Sequence, residues 1–246
     1  MTYLLGVAGG TGSGKGTITE LITAHLTLWG LTSHTVSTDN CYRDFSYLPE
    51  SDRDAMCFNP DLNFDHPNSV DFGRLFTYAK NLKEGRAFEY TQYDFSIHTY
   101  GQHKITVPAN LDVGIIEGIY ALYPNSEHTE NLPALYDHRI FVATTPSLSM
   151  GRRFLRDTQE RGRTLEHAVK QYQTTVAPMH DQYVYPTRLR ADDIVEWRGD
   201  ARNHEDITKA KLMEIARQKA LLIYEAVKSP LLPTLNPSTI SISNLS

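Results

Sequence analysis

A glycine-rich turn ending in a lysine carries the clearest chemical signal in the chain. Gly9, Gly10, Thr11, Gly12, Ser13, Gly14, Lys15, Gly16 and Thr17 follow the apolar run Leu4 to Ala8 and precede a helical pattern. The spacing Gly9-x4-Gly14-Lys15 fits a phosphate-binding P-loop. Glycines let backbone N–H groups close around phosphates, the lysine reaches the outer oxygens, and the following helix N-terminus adds partial positive charge. These nine residues are the candidates for holding ATP or GTP. One position departs from the pattern. A serine or threonine usually follows the lysine and places a hydroxyl on magnesium, but Gly16 stands there, with Thr17 one residue later. Gly16 is expected either to shift magnesium onto other ligands or to occupy a backbone angle that only glycine enters freely.

Phosphoryl transfer needs a phosphate cradle, magnesium, cations over the transferring group and a residue that orients the acceptor hydroxyl. Asp39 and Glu117 both close short apolar segments. Asp39 is the candidate base and orienter, and Glu117 a candidate for holding magnesium through water. Without context, Asp39 also reads as a turn or cap aspartate and Glu117 as a solvated strand end. The stretch from Arg152 to Arg163 holds five arginines in twelve residues. A charge run is usually a solvated helix face, but arginine suits forked phosphate contacts better than lysine. Gly162 between Arg161 and Arg163 would let a lid turn. His98, Tyr93 and Phe64-Asp65-His66-Pro67 read on their own as packed aromatics and a turn.

The elements that must position these residues alternate. Leu4 to Ala8 is a strand, and Ile18, Leu21, Ile22, Leu26 and Trp29 recur at helical spacing. Thr32 to Thr38 reads as a second strand. Residues 40–70 read as loop-rich, punctuated by Pro49, Pro60 and Pro67. A helix over Phe72 to Leu82 stops near Gly85, and 87–107 alternates as a small β-ribbon. Val113 to Ile116, Arg139 to Ala143 and Ile194-Val195 are further strands. Leu148 to Arg161 and Leu165 to Thr175 are expected helices, and Ile207, Leu212, Ile215, Leu222 and Tyr224 sit in a long closing helix. Strands alternating with helices imply a mainly parallel sheet.

The 246 residues carry a net charge of −5, are 40% hydrophobic and 22% charged, and include two cysteines. This is globular material with no general nucleic-acid surface. Two cysteines read as reduced thiols rather than a metal cluster. No stretch approaches 18 apolar residues, and the N-terminus lacks a signal-peptide pattern, so a cytoplasmic protein without a membrane span is expected.

Taken in order, these segments resemble the uridine kinase (uridine–cytidine kinase) family of P-loop kinases. The matching segments are Gly9 to Thr17, Asp39 to Tyr42, Asn63 to Pro67, Tyr93 to His98, Ile116 to Ile119, Arg152 to Arg163, Gln171-Tyr172, Ala177 to His180 and Pro186 to Arg188. The resemblance implies an α/β P-loop kinase fold with a β-ribbon at about 87–107 and an Arg-rich lid at about 148–163. Residues 1–228 would form one kinase domain and 229–246 a C-terminal tail. It further implies that Lys15 and the loop amides bind ATP or GTP phosphates. Asp39 would orient the nucleoside 5′-hydroxyl with Tyr42 beside it, and Asp65 and Arg153 would hold the ribose hydroxyls. Tyr93 and His98 would contact the pyrimidine, with Arg163 and Gln171 nearby. Arg156 and Arg161 would lie over the phosphates, and Glu117 would join Asp39 at the magnesium site. A homo-oligomer, tetramer or dimer, is implied as well. The expected activity is transfer of a γ-phosphoryl group to uridine, and to cytidine. The alternatives are a P-loop kinase of another hydroxyl acceptor, such as phosphoribulokinase, or a nucleotide-binding regulator that has lost turnover.

Overall fold

The strand β1 (Tyr3–Gly9) is buried along almost its whole length because helices cover both faces of the sheet that contains it. The computed structural model describes residues 1–95, 97–124, 131–197 and 205–228. The expected tail 229–246, Ser96 of the ribbon motif and the side chain of Ile207 lie outside the described residues. After β1 come α1 (Lys15–Leu28), β2 (Ser33–Ser37), α2 (Glu50–Met56), α3 (Phe72–Lys83), β3 (Phe88–Asp94) and β4 (Thr99–Val107). The chain continues through β5 (Val113–Gly118), β6 (His138–Thr144), α4 (Pro146–Gln159), α5 (Leu165–Gln171), α6 (Ala177–Met179), β7 (Asp193–Trp197) and α7 (Glu205–Lys228).

Five of these strands form a parallel sheet in the order β2-β5-β1-β6-β7. β3 and β4 make the separate antiparallel ribbon. Alternation along β1 divides the core. Leu4 and Ala8 face the layer of α3 and the ribbon, with Phe141, Ile116 and Tyr120. Leu5 and Val7 face the layer of α1 and α7, with Ile18, Ile22, Leu26 and Ile215. Each fully buried leucine or isoleucine contributes about 1.5–3 kcal/mol. The register sets Ser37 of β2 beside Glu117 of β5, and Ala8 of β1 beside Gly118. Asp39, Glu117 and the glycine-rich turn therefore emerge at one edge, at the carboxyl ends of adjacent strands, where sheets of this kind bind ligands.

One helix lies where none was expected, and another runs further than expected. The loop-rich residues 40–70 contain α2. Its one buried residue, Met56, gives too short a periodicity to read as a helix. The helix expected over 165–175 also runs further, through wide turns at Tyr172–Val176 and His180–Val184 to a 3-10 segment ending at Arg190. Pro178 and Pro186 look like breakers in sequence. A wide turn precedes each one and gives the proline ring room while the chain stays helical. Among the described residues no helix is long and apolar enough to cross a membrane.

Candidate active site

The phosphate cradle is built by backbone. Gly14 caps α1 in the left-handed conformation at φ 91°, with no side-chain cap, so the first N–H groups of the helix stay open. Gly12 is also left-handed at φ 66°, and a Cβ there would lie 2.3 Å from the Ser149 carbonyl oxygen of α4. Gly16 differs. It lies within α1 without a positive φ, and a Cβ there would meet nothing within 4 Å. The expectation that its backbone requires glycine is therefore overturned. Thr17 is exposed on α1, and Ser13 is buried. Lys15 Nζ lies 3.6 Å from Glu117 Oε1, both side chains being largely buried. Burial raises the Glu117 carboxyl above its usual range despite the lysine.

Beside this cradle a cavity gathers residues from seven segments of the chain. Thr11, Lys15, Asp39, Tyr42, Asp65, Tyr93, His98, Arg153, Arg156, Arg161, Arg163 and Gln171 all line it. Phe64, Phe95 and Ile119 line it too, and the sequence reading had not singled them out. Phe64 and Phe95 stood inside quoted segments, but an aromatic beside a polar motif carries no signal of which way it faces.

Asp39 sits in the 3-10 turn Thr38–Cys41 that follows β2, its N–H donating to Ser37 Oγ at 3.2 Å. The neighbouring Asn40 fixes the ribbon, since its Oδ1 accepts from the Tyr93 N–H at 3.0 Å. Tyr42 packs on Tyr93 at 4.8 Å between ring centroids. Burial pushes both phenols up, so they stay protonated. Asp65 is held by its own loop: its N–H donates to Asn63 Oδ1 at 2.9 Å, and the Tyr120 hydroxyl donates to its carbonyl. Its carboxyl is raised, by burial first and against the pull of Arg153. Among the described residues, Asp65 Oδ2 and the Tyr93 hydroxyl are buried without a hydrogen-bond partner. Such atoms cost about 1–3 kcal/mol each unless something satisfies them. Inside a cavity they point to a polar ligand.

His98 has φ 53°, stacks on Phe64 with centroids 4.7 Å apart, and is 7% exposed. Burial, and then the charge of Arg163, lower its pKa to about 4, so it is neutral near pH 7. Arg163 Nη2 lies 3.5 Å from its Nε2, and Arg163 Nη1 donates to Gln171 Oε1 at 2.6 Å. Arginines of α4 reach back to the cradle: Arg153 Nη1 and Arg156 Nη2 each donate to Thr11 Oγ1 at 3.2 Å. The Arg161 guanidinium lies 3.9 Å over the Phe95 ring. Gly162, at φ 64°, turns the chain so that Arg163 folds back toward the cavity. In sequence Asp157 reads as part of a basic run. It is fully buried, with four of these arginines around it. Its one visible signal is its spacing, four residues after Arg153 and four before Arg161.

Glu117 and Asp39 offer oxygen ligands on adjacent strand ends beside Lys15, a set that suits magnesium. Among the described residues no cluster of three or more His, Cys, Asp or Glu forms a metal cage. Magnesium needs only one or two carboxylates from protein and completes its shell with phosphate and water.

The pattern of the phosphoribulokinase / uridine kinase family matches residues 4–202. The chain belongs to that family. It is a phosphotransferase, and membership of a kinase family implies a nucleotide as phosphoryl donor. A uridine kinase of Staphylococcus epidermidis is 36% identical over 218 residues, which cover 89% of this chain and 99% of that protein. Among solved structures, a putative fructose transport system kinase of Silicibacter superposes with a TM-score of 0.63 at 24% identity, covering 78% of this chain and 89% of that one. Phosphoribulokinase of Rhodobacter sphaeroides gives 0.61 at 13% identity, covering 82% of this chain and 73% of that one. At those identities the structures speak for the fold alone.

Proposed function

We propose that the protein is a uridine kinase, acting on cytidine as well, and that residues 1–228 work as one catalytic domain. The observation that carries this reading is the cavity itself. It puts an unpartnered Asp65 oxygen and an unpartnered Tyr93 hydroxyl next to Asp39, Lys15 and an arginine lid. A ribonucleoside presents matching groups: vicinal hydroxyls for Asp65 and Arg153, a base for Tyr93 and His98, and a 5′-hydroxyl for Asp39. The uridine kinase relatives at 36% identity support the same substrate class.

In this reading the loop amides and Lys15 hold the β- and γ-phosphates of ATP or GTP. Asp39 orients the 5′-hydroxyl for in-line attack and takes its proton as the new O–P bond forms. The bond from γ-phosphorus to the β,γ-bridging oxygen breaks, leaving the nucleoside diphosphate. Arg156 and Arg161 meet the charge that spreads over the equatorial oxygens. Glu117 and Asp39 would hold magnesium, which neutralises phosphate charge. A coupled assay with ATP or GTP against uridine, cytidine and purine nucleosides tests this. Transfer to the two pyrimidine nucleosides is expected. Transfer only to another hydroxyl acceptor, or none at all with ATP still bound, overturns it.

A further inference from the structure

Asp157 is an unusual place for a carboxylate. It lies in the last turn of α4, where the helix dipole disfavours negative charge, and it is fully buried. Its partners explain its presence. Oδ2 lies 3.2 Å from Arg153 Nε and 4.0 Å from Arg163 Nη1. Oδ1 lies 3.3 Å from Arg161 Nη1 and 3.6 Å from Arg156 Nε. Four guanidiniums this close repel one another, and one carboxylate lets them share a site. Four positive charges against one negative still leave an excess of positive charge for a ligand.

The contacts are also divided by edge. Arg153 and Arg156 approach Asp157 through Nε in ion pairs without hydrogen-bond geometry, and their outer Nη atoms donate to Thr11 of the phosphate cradle. Arg161 gives Nη1 to Asp157 while its plane rests on Phe95. Arg163 lies farthest from Asp157, at 4.0 Å, and has a much shorter anchor in the 2.6 Å bond to Gln171 beside His98.

We propose that Asp157 is a positioning residue that aims Arg156 and Arg161 at the transferring phosphoryl group, while Arg153 keeps Thr11 and Asp65 as its other partners on the ribose side. This rests on the reading of the cavity as a kinase site. Asp157 touches no substrate and acts through the arginines. Because Gln171 holds Arg163 independently, the base pocket survives the loss of Asp157 and the arginine array does not.

The experiment compares wild type, Asp157→Asn and Asp157→Glu by kcat, uridine KM and thermal midpoint. The wild type is assayed first. If it does not phosphorylate uridine, the substrate reading fails, and the comparison runs on whichever acceptor it does phosphorylate; if it phosphorylates none, both fail. For Asp157→Asn, kcat should fall on the order of 10²-fold, the size of a small misplacement of positioning groups. kcat/KM should fall in proportion with uridine KM near wild type, the signature of an interaction made only in the transition state. Asp157→Glu keeps the charge but moves it by one methylene, and should lie between the two. A purely structural role would lower the thermal midpoint and leave the kcat of folded enzyme unchanged. A folded Asp157→Asn with wild-type kcat overturns the proposal. So does a loss confined to uridine KM. If Asp157→Asn does not fold, wild-type kcat in Asp157→Glu overturns it.

Discussion

The two ends of the parallel sheet treat charge in opposite ways. At the amino ends of the strands the carboxylates of Asp137, Asp192 and Asp193 are satisfied by protein. Asp193 accepts from His138 at 2.7 Å and from Lys219 at 2.6 Å. Asp192 accepts from Arg139 Nε at 2.9 Å and Nη2 at 2.6 Å. Asp137 accepts from the Leu4 N–H at 2.7 Å and from Lys83. The hydrogen bond from His138, with help from Lys219, holds the Asp193 carboxyl down at about 2. At the carboxyl ends the carboxyls of Glu117 and Asp65 are pushed up by burial, and polar atoms are left unpartnered. One end is finished by the chain and holds β6, β7 and α7 together. The other is left open, and its unmet bonds define what it binds. A charge there is worth little to stability and much to function, and substitutions should separate the two.

The largest effect is expected at Asp39. Asp39→Asn keeps the size and the turn but loses the proton acceptor. Losing a general base typically costs about 10²–10⁴-fold in rate. kcat should fall by that range, while uridine affinity and the thermal midpoint stay near wild type. Measuring kcat, uridine binding and melting on the same preparation checks it. Near wild-type kcat would remove Asp39 from the mechanism, and a large drop in melting temperature would erase the contrast between the two ends.

The opposite outcome is expected at Asp193. Asp193→Asn strands His138 and Lys219 and should cost about 1.5–3 kcal/mol, the range for hydrogen bonds to charged groups. kcat should not change, because the site lies at the other end of the strands. The pH dependence follows from the lowered pKa. The folded state binds this proton more weakly than the unfolded chain. The stabilisation is therefore complete above the ordinary value of 3.8 and is lost as pH falls from there to about 2. Thermal melts across that window should be steep for wild type and flatter for the variant. Equal slopes would show that Asp193 does not couple folding to pH.

The same contrast explains how much could be read from sequence. The cradle is a local device. Nine consecutive residues fix its backbone, so glycine spacing alone exposes it. The sheet was legible too, because Leu4 to Ala8, Val113 to Ile116 and Arg139 to Ala143 are apolar runs of strand length. The cavity was not legible from spacing, since Asp39, Asp65, Tyr93 and Arg153 meet only once the register of β2, β5 and the ribbon is set; only the ordered resemblance to a family brought them together. Asp157 escaped because a carboxylate in a basic run reads as one half of a solvated pair, and burial is not written in local pattern. The helical run to Arg190 escaped because Pro178 and Pro186 are breakers wherever a wide turn does not precede them.

The smallest effect, and the sharpest test of the open end, is at Gly16. The neighbouring loop glycines are held by geometry: Gly12 and Gly14 are left-handed, and a Cβ at Gly12 would strike Ser149. Gly16 has neither constraint, so a serine fits there. In an α-helix, serine should gain about half a kcal/mol over glycine. Its hydroxyl would offer magnesium a ligand for which the wild type would rely on water or phosphate, as magnesium tolerates readily. Gly16→Ser should therefore lower the half-saturating magnesium concentration with kcat and ATP binding nearly unchanged, and should melt no lower than wild type. A magnesium titration with melting measured in parallel reads both. A loss of ATP binding would mean that the cradle needs the bare backbone at position 16. An unchanged magnesium requirement would mean that the metal is held by Glu117, Asp39, phosphate and water without any call for a hydroxyl from this helix turn.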